Sequence, residues 1–396
     1  MTLLRDDFIW GAATAAHQIE GGNTNSDFWV LEQGGSGQFA EPSGDACDSY
    51  HRYPDDIRLL AEAGLKAYRF SIEWARIEPA QGQFSRAQLL HYRAMIDECQ
   101  RHGVLPIITL HHFTYPRWFT ENGGLHRDDA VERFAAYVDY VSQILHDIDW
   151  IVMINEPNIA ALFAGLYAAP SEGSEPVTVA MALADGPDAE LVPILAAMHH
   201  AARDVLRAKT SAQIGWAPAT QAFMPTEGNE AKWQEVFDAW EGVFFDATDG
   251  DDFIGIQSYT SQPVDANGPV PHPPHPDNTL TGWAYRPDAL AINLRRIWDL
   301  KGLPLLVTEN GIATDDDERR IAYVTGALAG LKAAVADGVE VLGYCYWSLL
   351  DNYEWGSYAP TFGLIAVDRA GDFDRTPKPS LAWLGTVAAS NGGLID

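Results

Sequence analysis

The stretch LPLLVTENGIATDDDERR, residues 303–320, joins an apolar run, a glutamate and the start of a helix. Four of its first five residues are apolar, and the run leads directly into Glu309. A nearly continuous apolar run is typical of a parallel strand that is buried on both faces. The acids of residues 314–318 favour a helix start, because negative charge is stabilising in the first turn. The stretch therefore predicts a strand that presents a carboxylate at its end, followed by a helix.

The same kind of apolar run recurs along the whole chain. The eight runs are FIWGAATA from Phe8, KAYRFSI from Lys66, LPIITLHH from Leu105, WIVMINEP from Trp150, AQIGWAP from Ala212, DFIGIQSY from Asp252, LPLLVTENG from Leu303 and EVLGYCYWSLL from Glu340. Amphipathic helical stretches lie between them, for example at residues 55–64, 86–103 and 318–338, and the first of these starts with acids and stops at a glycine.

Alternation of strand and helix predicts an α/β fold, a (β/α)8 barrel with its active site at the C-terminal ends of the strands. A doubly wound sheet is the structural alternative, but eight runs favour closure. The segment PVPHPPHPDNTLTGW, residues 269–283, contains five prolines and predicts an irregular insertion after the sixth strand. Since no Pro/Gly/Ser-rich stretch divides the chain into halves, we expect one catalytic domain over residues 1–396.

Composition limits the partners that the chain can have. Its formal charge of −29 repels phosphate backbones and anionic lipids, so we expect no nucleic acid and no membrane partner. Cys47, Cys99 and Cys345 give neither a disulfide framework nor a metal-ligand spacing, which favours a cytoplasmic location and no metal. Asp6 and Asp7 precede the first apolar run, and a secretory signal would have basic residues there. No cofactor is required, and the oligomeric state is left open.

Polar and aromatic residues stand at the predicted strand ends, where the active sites of such barrels lie. Asn155 and Glu156 end the fourth run, and Glu309 ends the seventh. Glycoside hydrolysis needs two carboxyl groups, one protonated for the leaving oxygen and one ionised to attack or to activate water. Sugar sites also need flat aromatic faces, and the chain has 13 Trp. We therefore predict that Glu156 and Glu309 face each other across the barrel mouth.

Several motifs together make the sequence resemble family 1 glycoside hydrolases, the β-glucosidase and β-galactosidase family. They extend from residue 8 to residue 368 and comprise FIWGAATAAHQIEGG, YRFSIEWARIEP, HHFTYPRWF, NEP, TENG, YWSLLDNYEW and FGLIAVD. The resemblance implies a retaining exo-β-glycosidase, with Glu156 as the acid/base and Glu309 as the nucleophile of a covalent glycosyl-enzyme. For a retaining enzyme we predict a separation of about 5–5.5 Å between the two carboxyl groups.

The resemblance also implies roles for the surrounding residues. Arg69 and Tyr259 match residues that hold the nucleophile and tune it electrostatically. The residues that match sugar-binding positions are Gln18, His112, Asn155, Trp347, Glu354 and Trp355. Among these, Asn155 would bond the sugar 2-hydroxyl. The sequence departs from the family pattern at Phe113, Met153, Gln257, Ser258 and Thr361, where Trp, Thr, Asn, Tyr and Arg are common.

The expected substrates are small β-glycosides or oligosaccharides, with β-glucosides first among them. Retention of Glu354 and the −29 charge favour unphosphorylated sugars over 6-phosphosugars. Two alternatives stay open, namely a transglycosylase on the same site and a catalytically silent sugar-binding barrel. The choice among glucose, galactose and fucose, and the nature of the aglycone, also stay open at this point.

Overall fold

Eight parallel strands form the centre of the molecule. The computed structural model describes residues 4–34, 39–167 and 186–395. The strands are β1 (Ile9–Ala13), β2 (Ala67–Ser71), β3 (Leu105–His111), β4 (Trp150–Asn155), β5 (Gln213–Ala217), β6 (Ile254–Gln257), β7 (Leu305–Asn310) and β8 (Val341–Trp347). Each strand coincides with one of the eight apolar runs, so the sequence prediction is confirmed. Nearly every strand residue is buried, as expected for strands that are covered on both faces.

The strands close into a barrel. Their order in the sheet is β5-β4-β3-β2-β1-β8-β7-β6, and neighbouring strands are parallel. The two ends of the sheet meet at β5 and β6, where Ala219 and Gln257 form a parallel bridge. The backbone N–H of Asp252 also donates to the carbonyl of Ile214 at 2.8 Å. This nearly closed sheet confirms the predicted (β/α)8 architecture and excludes the doubly wound alternative, whose sheet would stay open.

Helices surround the barrel and cover its outer face. They are α1 (Ser49–Glu62), α2 (Arg86–Arg101), α3 (Ala130–Val141), α4 (Val192–Arg207), α5 (Glu230–Phe237), α6 (Ala289–Lys301), α7 (Asp317–Ala336) and α8 (Pro379–Ala389). Their buried residues recur at helical spacing, as in α4, where Leu195, Met198, Ala202 and Leu206 are all buried. One apolar stripe on each helix therefore packs against the sheet, while the opposite stripe faces solvent.

The start of α1 differs from its prediction. The acids at residues 55–56 indicated a helix start, but α1 begins at Ser49. Asp56 is instead buried, and it accepts hydrogen bonds from Ser49 Oγ and from Arg375 Nε, both at 2.7 Å. These two contacts hold the first turns of α1 in place, although Pro54 removes one helical hydrogen bond. Helices α2 and α7 begin within one residue of the predicted positions.

Short helices and short strands lie in the segments that connect the main elements. The short helices are Ala16–Ile19, Asp27–Gln33, Trp74–Ile77, Arg117–Thr120, Gly124–His126, Ser142–Ile144, Pro157–Tyr167, Asp238–Gly242 and Val243–Asp246, and the short strands are Met224–Pro225, Pro263–Asp265, Gly268–Pro269, Ile365–Val367 and Arg375–Pro377. The proline-rich segment 269–283 lies between β6 and α6, and only Pro269 of it belongs to a strand, which confirms the predicted insertion. Within the three described ranges, no helix has the length and apolar character needed to cross a membrane.

Alternate strand residues fill the barrel interior. Ala13, Ala67, Val152 and Leu306 belong to one buried cluster contributed by several different strands. The strands approach closely where the interior is filled by small residues. A Cβ at Gly311, just after β7, would lie 2.0 Å from the Trp347 carbonyl oxygen, so only glycine fits there. This close approach of β7 to β8 fixes the position of Glu309 relative to the end of β8.

Candidate active site

A cavity of about 190 Å³ lies at the carboxyl ends of the strands. Its walls come mainly from residues at the ends of β3, β4, β6, β7 and β8 and from the segments that follow them. The described residues that line it are His112, Phe113, Asn155, Glu156, Ile159, Phe163, Gln221, Tyr259, Trp283, Glu309, Trp347, Glu354, Trp355 and Phe362. Aromatic walls with a few convergent polar groups are typical of a small-molecule binding site.

The backbone turns two carboxyl groups into this one cavity. The register of β4 with β5 shifts just before Glu156, and the register of β7 with β6 shifts just before Glu309. Such bulges redirect side chains and are frequent next to active sites. Glu156 itself has a left-handed backbone with φ of 41°, and its N–H donates to the Ala217 carbonyl at 2.8 Å. A non-glycine residue in this conformation costs about 1–3 kcal/mol, which the surrounding structure has to offset.

Glu309 is anchored by two charge-assisted hydrogen bonds. Arg69 Nη1 donates to Oε1 at 2.5 Å, and the Tyr259 hydroxyl donates to Oε2 at 2.5 Å. Arg69 lies in β2, is fully buried, and is itself held by a 2.9 Å bond from Nε to Thr109 Oγ1 in β3. The backbone carbonyl of Tyr259 accepts from the Tyr323 hydroxyl at 2.6 Å. Both carboxylate oxygens are therefore fixed by donors that are fixed in turn.

The two carboxyl groups have different surroundings. Burial raises the pKa of both, and for Glu309 this rise is opposed by the charge of Arg69 and by the hydrogen bonds from Tyr259 and Arg69. For Glu156, burial and the negative charge of Glu309 raise the pKa well above its ordinary value. Within the described part of the chain, no side-chain donor bonds to the Glu156 carboxyl. A single proton shared by the pair therefore resides on Glu156, and Glu309 carries the negative charge.

Asn155 stands beside this pair in a dense hydrogen-bond network. Its Oδ1 accepts from Arg69 Nη2 and, at 2.6 Å, from Gln257 Nε2. Its Nδ2 lies 3.2 Å from His112 Nε2, and burial lowers the pKa of His112 well below its ordinary value, so this imidazole is neutral. Donors thus occupy the oxygen of Asn155, and its amino group has one N–H left beside the one directed to His112.

Stacked rings form one wall. The planes of His17 and Trp355 differ by 7° with centroids 5.8 Å apart, those of Trp355 and His112 by 12° at 6.1 Å, and those of His112 and Trp347 by 17° at 5.8 Å. Trp347 Nε1 donates to Glu354 Oε1 at 3.1 Å. Burial raises the pKa of Glu354 to about 8. The wall thus combines aromatic faces with hydrogen-bonding groups, which is what a sugar ring requires.

The structure brings most of the predicted site residues together. Eight of the ten line the cavity, namely Glu156, Glu309, Tyr259, His112, Asn155, Trp347, Glu354 and Trp355. The other two lie behind its surface: Arg69 contacts Glu309 and Asn155, and the buried Gln18 donates to the Tyr353 carbonyl at 2.8 Å. Their positions support the predicted roles, but the roles themselves stay predictions.

Sequence reasoning missed several cavity residues. Trp283 lies at the end of the insertion that was interpreted only as a loop, and Phe362 follows Thr361. Gln221 and Phe163 also line the cavity, and no motif in the sequence marked them. The sequence offers one signal for Trp283, namely a tryptophan that follows a glycine at the end of an irregular insertion. His111, by contrast, stands next to His112 in the chain but packs on Tyr115 outside the lining.

The arrangement supplies one protonated and one ionised carboxyl group to a bond placed between them. Glycosidic bond cleavage requires that pairing. In the described ranges, no group of three or more His, Cys, Asp or Glu residues is arranged to hold a metal ion.

Comparisons with known proteins agree with this geometry. The sequence model of glycosyl hydrolase family 1 matches residues 1–248 and 248–393. A thermostable β-glucosidase B from Thermobispora bispora is 32% identical over 98% of this chain and 91% of its own length. An aryl-phospho-β-D-glucosidase BglC from Bacillus subtilis is 28% identical over 97% of each chain. The crystal structure of β-glycosidase BGL167 superposes with a TM-score of 0.89 at 39% identity, covering 98% of this chain and 97% of that one.

Proposed function

Because the chain belongs to glycosyl hydrolase family 1 and is a glycoside hydrolase of the β-glucosidase type, we propose that it is a retaining exo-β-glycosidase. One observation carries the proposal: Glu156 and Glu309 share one cavity, and Glu309 is the one of the two whose carboxyl accepts hydrogen bonds from Arg69 and Tyr259. We assign the nucleophile to Glu309 and the acid/base to Glu156. Residues 1–396 are proposed to act as one catalytic domain in the cytoplasm.

The proposed reaction has two steps. In the first, a Glu309 oxygen bonds to the anomeric carbon while the glycosidic C–O bond breaks, and protonated Glu156 gives its proton to the leaving oxygen, so the aglycone departs as an alcohol. Formation of the glycosyl ester removes the negative charge of Glu309, so the pKa of Glu156 falls and its carboxylate stays ionised, ready to act as the base. In the second step, Glu156 takes a proton from water, the water oxygen bonds to the anomeric carbon, and Glu309 is released. The two carboxyl groups are expected about 5–5.5 Å apart, which leaves no room for an intervening water.

We propose unphosphorylated β-glucosides as preferred substrates. Among the described residues that line the cavity there is no Lys or Arg that could neutralise a sugar phosphate. Glu354 has a pKa raised to about 8, so at neutral pH its carboxyl is mostly neutral and repels a phosphate less than an ionised group would. The absence of Lys and Arg from the described lining therefore counts more against a 6-phosphosugar than repulsion by Glu354 does. A β-glucoside should be hydrolysed at least about 100-fold more efficiently than its 6-phosphate, since an unpaired buried charge costs several kcal/mol.

Covalent labelling tests the assignment of Glu309. An activated 2-deoxy-2-fluoro-β-glucoside should trap one glycosyl group per chain, and peptide mapping should place it on Glu309. The matched control is Glu309→Gln, which should remain unlabelled at the same reagent concentration. A label on any other residue overturns the assignment, and an active enzyme that is never labelled argues against a glycosyl-enzyme.

Leaving-group dependence tests the assignment of Glu156. Glu156→Ala should retain hydrolysis of a substrate with a good leaving group, such as 2,4-dinitrophenyl glucoside, because that leaving group needs no proton. Azide should raise the rate further and yield a β-glycosyl azide. If Glu156→Ala loses activity as completely as Glu309→Ala and azide has no effect, the division of roles is wrong. Product analysis at high acceptor concentration separates hydrolysis from transglycosylation on the same intermediate.

A further inference from the structure

Gln257 occupies a rigid position at the seam where the barrel closes. It is the last residue of β6 and only 1% exposed. Its backbone carbonyl accepts from Thr220 twice, from N–H at 2.9 Å and from Oγ1 at 2.6 Å. On its other side, Gln257 pairs in register with Glu309 of β7. Because both neighbouring segments hold this backbone, the direction of the Gln257 side chain is fixed by the barrel itself.

The Gln257 amide completes the hydrogen bonding of the Asn155 oxygen. An amide oxygen has two lone pairs, and those of Asn155 Oδ1 are used by Arg69 Nη2 and by Gln257 Nε2. The amide nitrogen has two N–H donors, of which one is directed to His112 Nε2 at 3.2 Å. Since both acceptor sites are filled, Asn155 can offer only an N–H to a ligand in the cavity.

Neither the bond from Arg69 nor the bond from Gln257 would orient the Asn155 amide alone. The last torsion of an asparagine side chain has a broad energy minimum, so one bond to the oxygen and the 3.2 Å contact of the nitrogen with His112 hold the amide plane only loosely. Arg69 cannot follow such a rotation, because it is bound to Glu309 and to Thr109 as well. The second bond, from Gln257, fixes the plane. Gln257 Oε1 is buried and has no hydrogen-bond partner among the described residues, so the bond from Nε2 to Asn155 is the side-chain hydrogen bond that the structure gives to Gln257.

We propose that Gln257 is a positioning residue that orients the Asn155 amide, so that its free N–H recognises the oxygen of the sugar 2-hydroxyl. This inference rests on the proposed glycosidase function. Gln257 does not line the cavity and acts through Asn155. Its contribution therefore appears only with substrates that carry the 2-hydroxyl group.

A pair of substrates isolates this contribution. We would measure kcat/KM for 4-nitrophenyl β-glucoside and for its 2-deoxy analogue, corrected for spontaneous hydrolysis. Gln257→Leu removes the donor at nearly constant volume and should lower kcat/KM for the glucoside about tenfold or more, a factor expected for loss of one well-placed hydrogen bond. The same variant should change kcat/KM for the 2-deoxy substrate less than about threefold. The ratio of the two values therefore falls.

Two further variants make the result specific. Gln257→Met also removes the donor while keeping the length of the side chain, so it should also lower the ratio, and it serves where Gln257→Leu fails to fold. Gln262→Leu is the matched control, since Gln262 Nε2 donates to the Val270 carbonyl at 3.1 Å outside the cavity, and it should leave the ratio unchanged. Thermal unfolding checks that each variant is folded.

The outcomes distinguish the inference from the function beneath it. If the wild type hydrolyses both substrates equally well, the assigned 2-hydroxyl contact is absent and the proposed role of Asn155 fails first. A second outcome would overturn only the positioning role. In that case the wild type prefers the glucoside and Asn155→Ala abolishes the preference, but both Gln257 variants keep it, so the proposed function stands. An equal loss on both substrates would show general structural damage and would equally overturn the positioning role.

Discussion

Replacement of Tyr259 by Phe tests the electrostatic basis of the proposed nucleophile. The substitution removes the hydroxyl that donates to Glu309 Oε2 at 2.5 Å and leaves the bond from Arg69 Nη1 at 2.5 Å in place. Hydrogen bonds to charged groups contribute about 1.5–3 kcal/mol. Since about 1.36 kcal/mol corresponds to a tenfold change in an ionisation equilibrium, loss of this bond should raise the pKa of Glu309 measurably.

The sign of the effect follows from the role of Glu309. Tyr259 favours the ionised carboxylate, so its loss favours the protonated form and raises the pKa. Activity that needs an ionised Glu309 is lost as pH falls through that pKa. The acid limb of the kcat/KM profile should therefore move to higher pH in Tyr259→Phe, by about 1 pH unit or more. This limb reports the ionisation of the coupled pair Glu156 and Glu309.

The assay is kcat/KM for a 4-nitrophenyl β-glucoside, measured at constant ionic strength across the acid range. Tyr137→Phe is the matched control, because the Tyr137 hydroxyl is buried and donates to the carbonyls of Ile72 and Leu110, at 3.0 and 2.9 Å. That control should lower thermal stability without moving the acid limb. If the acid limb of the Tyr259→Phe profile coincides with that of the wild type, the ionisation of Glu309 does not depend on this donor, and the assigned role of Tyr259 is wrong.

Three further predictions concern other parts of the molecule. Burial raises the pKa of Asp27 to about 7, so wild-type stability should fall as pH rises from about 4 to 7, and Asp27→Asn should remove that part of the fall when the two melting curves are compared across pH. Gly311→Ala should lower the melting temperature strongly, since its Cβ would lie 2.0 Å from the Trp347 carbonyl oxygen, whereas Gly34→Ala, with a φ of −72°, should change it little. Trp283→Ala should raise KM for aryl glucosides several-fold more than for methyl glucoside, because Trp283 presents an exposed aromatic face at the cavity, and equal effects on both substrates would contradict that assignment.

The sequence predicted the barrel because its signals are local and repeated. Each buried strand appears as a short apolar run, and each covering helix as an amphipathic stretch, whatever the rest of the chain does. The start of α1 was misjudged because Asp56 forms a buried pair with Arg375, far away in the chain, and no local pattern contains that partner. Trp283 was missed for the same reason, since an insertion after β6 has no periodicity that says where it folds back.

The residues that could carry the chemistry are recognisable from the amino-acid pattern alone. Glutamates that follow two apolar runs must stand at the carboxyl ends of their strands, and closure of a parallel barrel brings all such ends to one face. Which carboxyl group is charged, and how the Asn155 amide is oriented, follow from the three-dimensional contacts. Those properties depend on Arg69 of β2 and on Gln257 and Tyr259 at and just after the end of β6. They also depend on burial, which exists only after the barrel has closed.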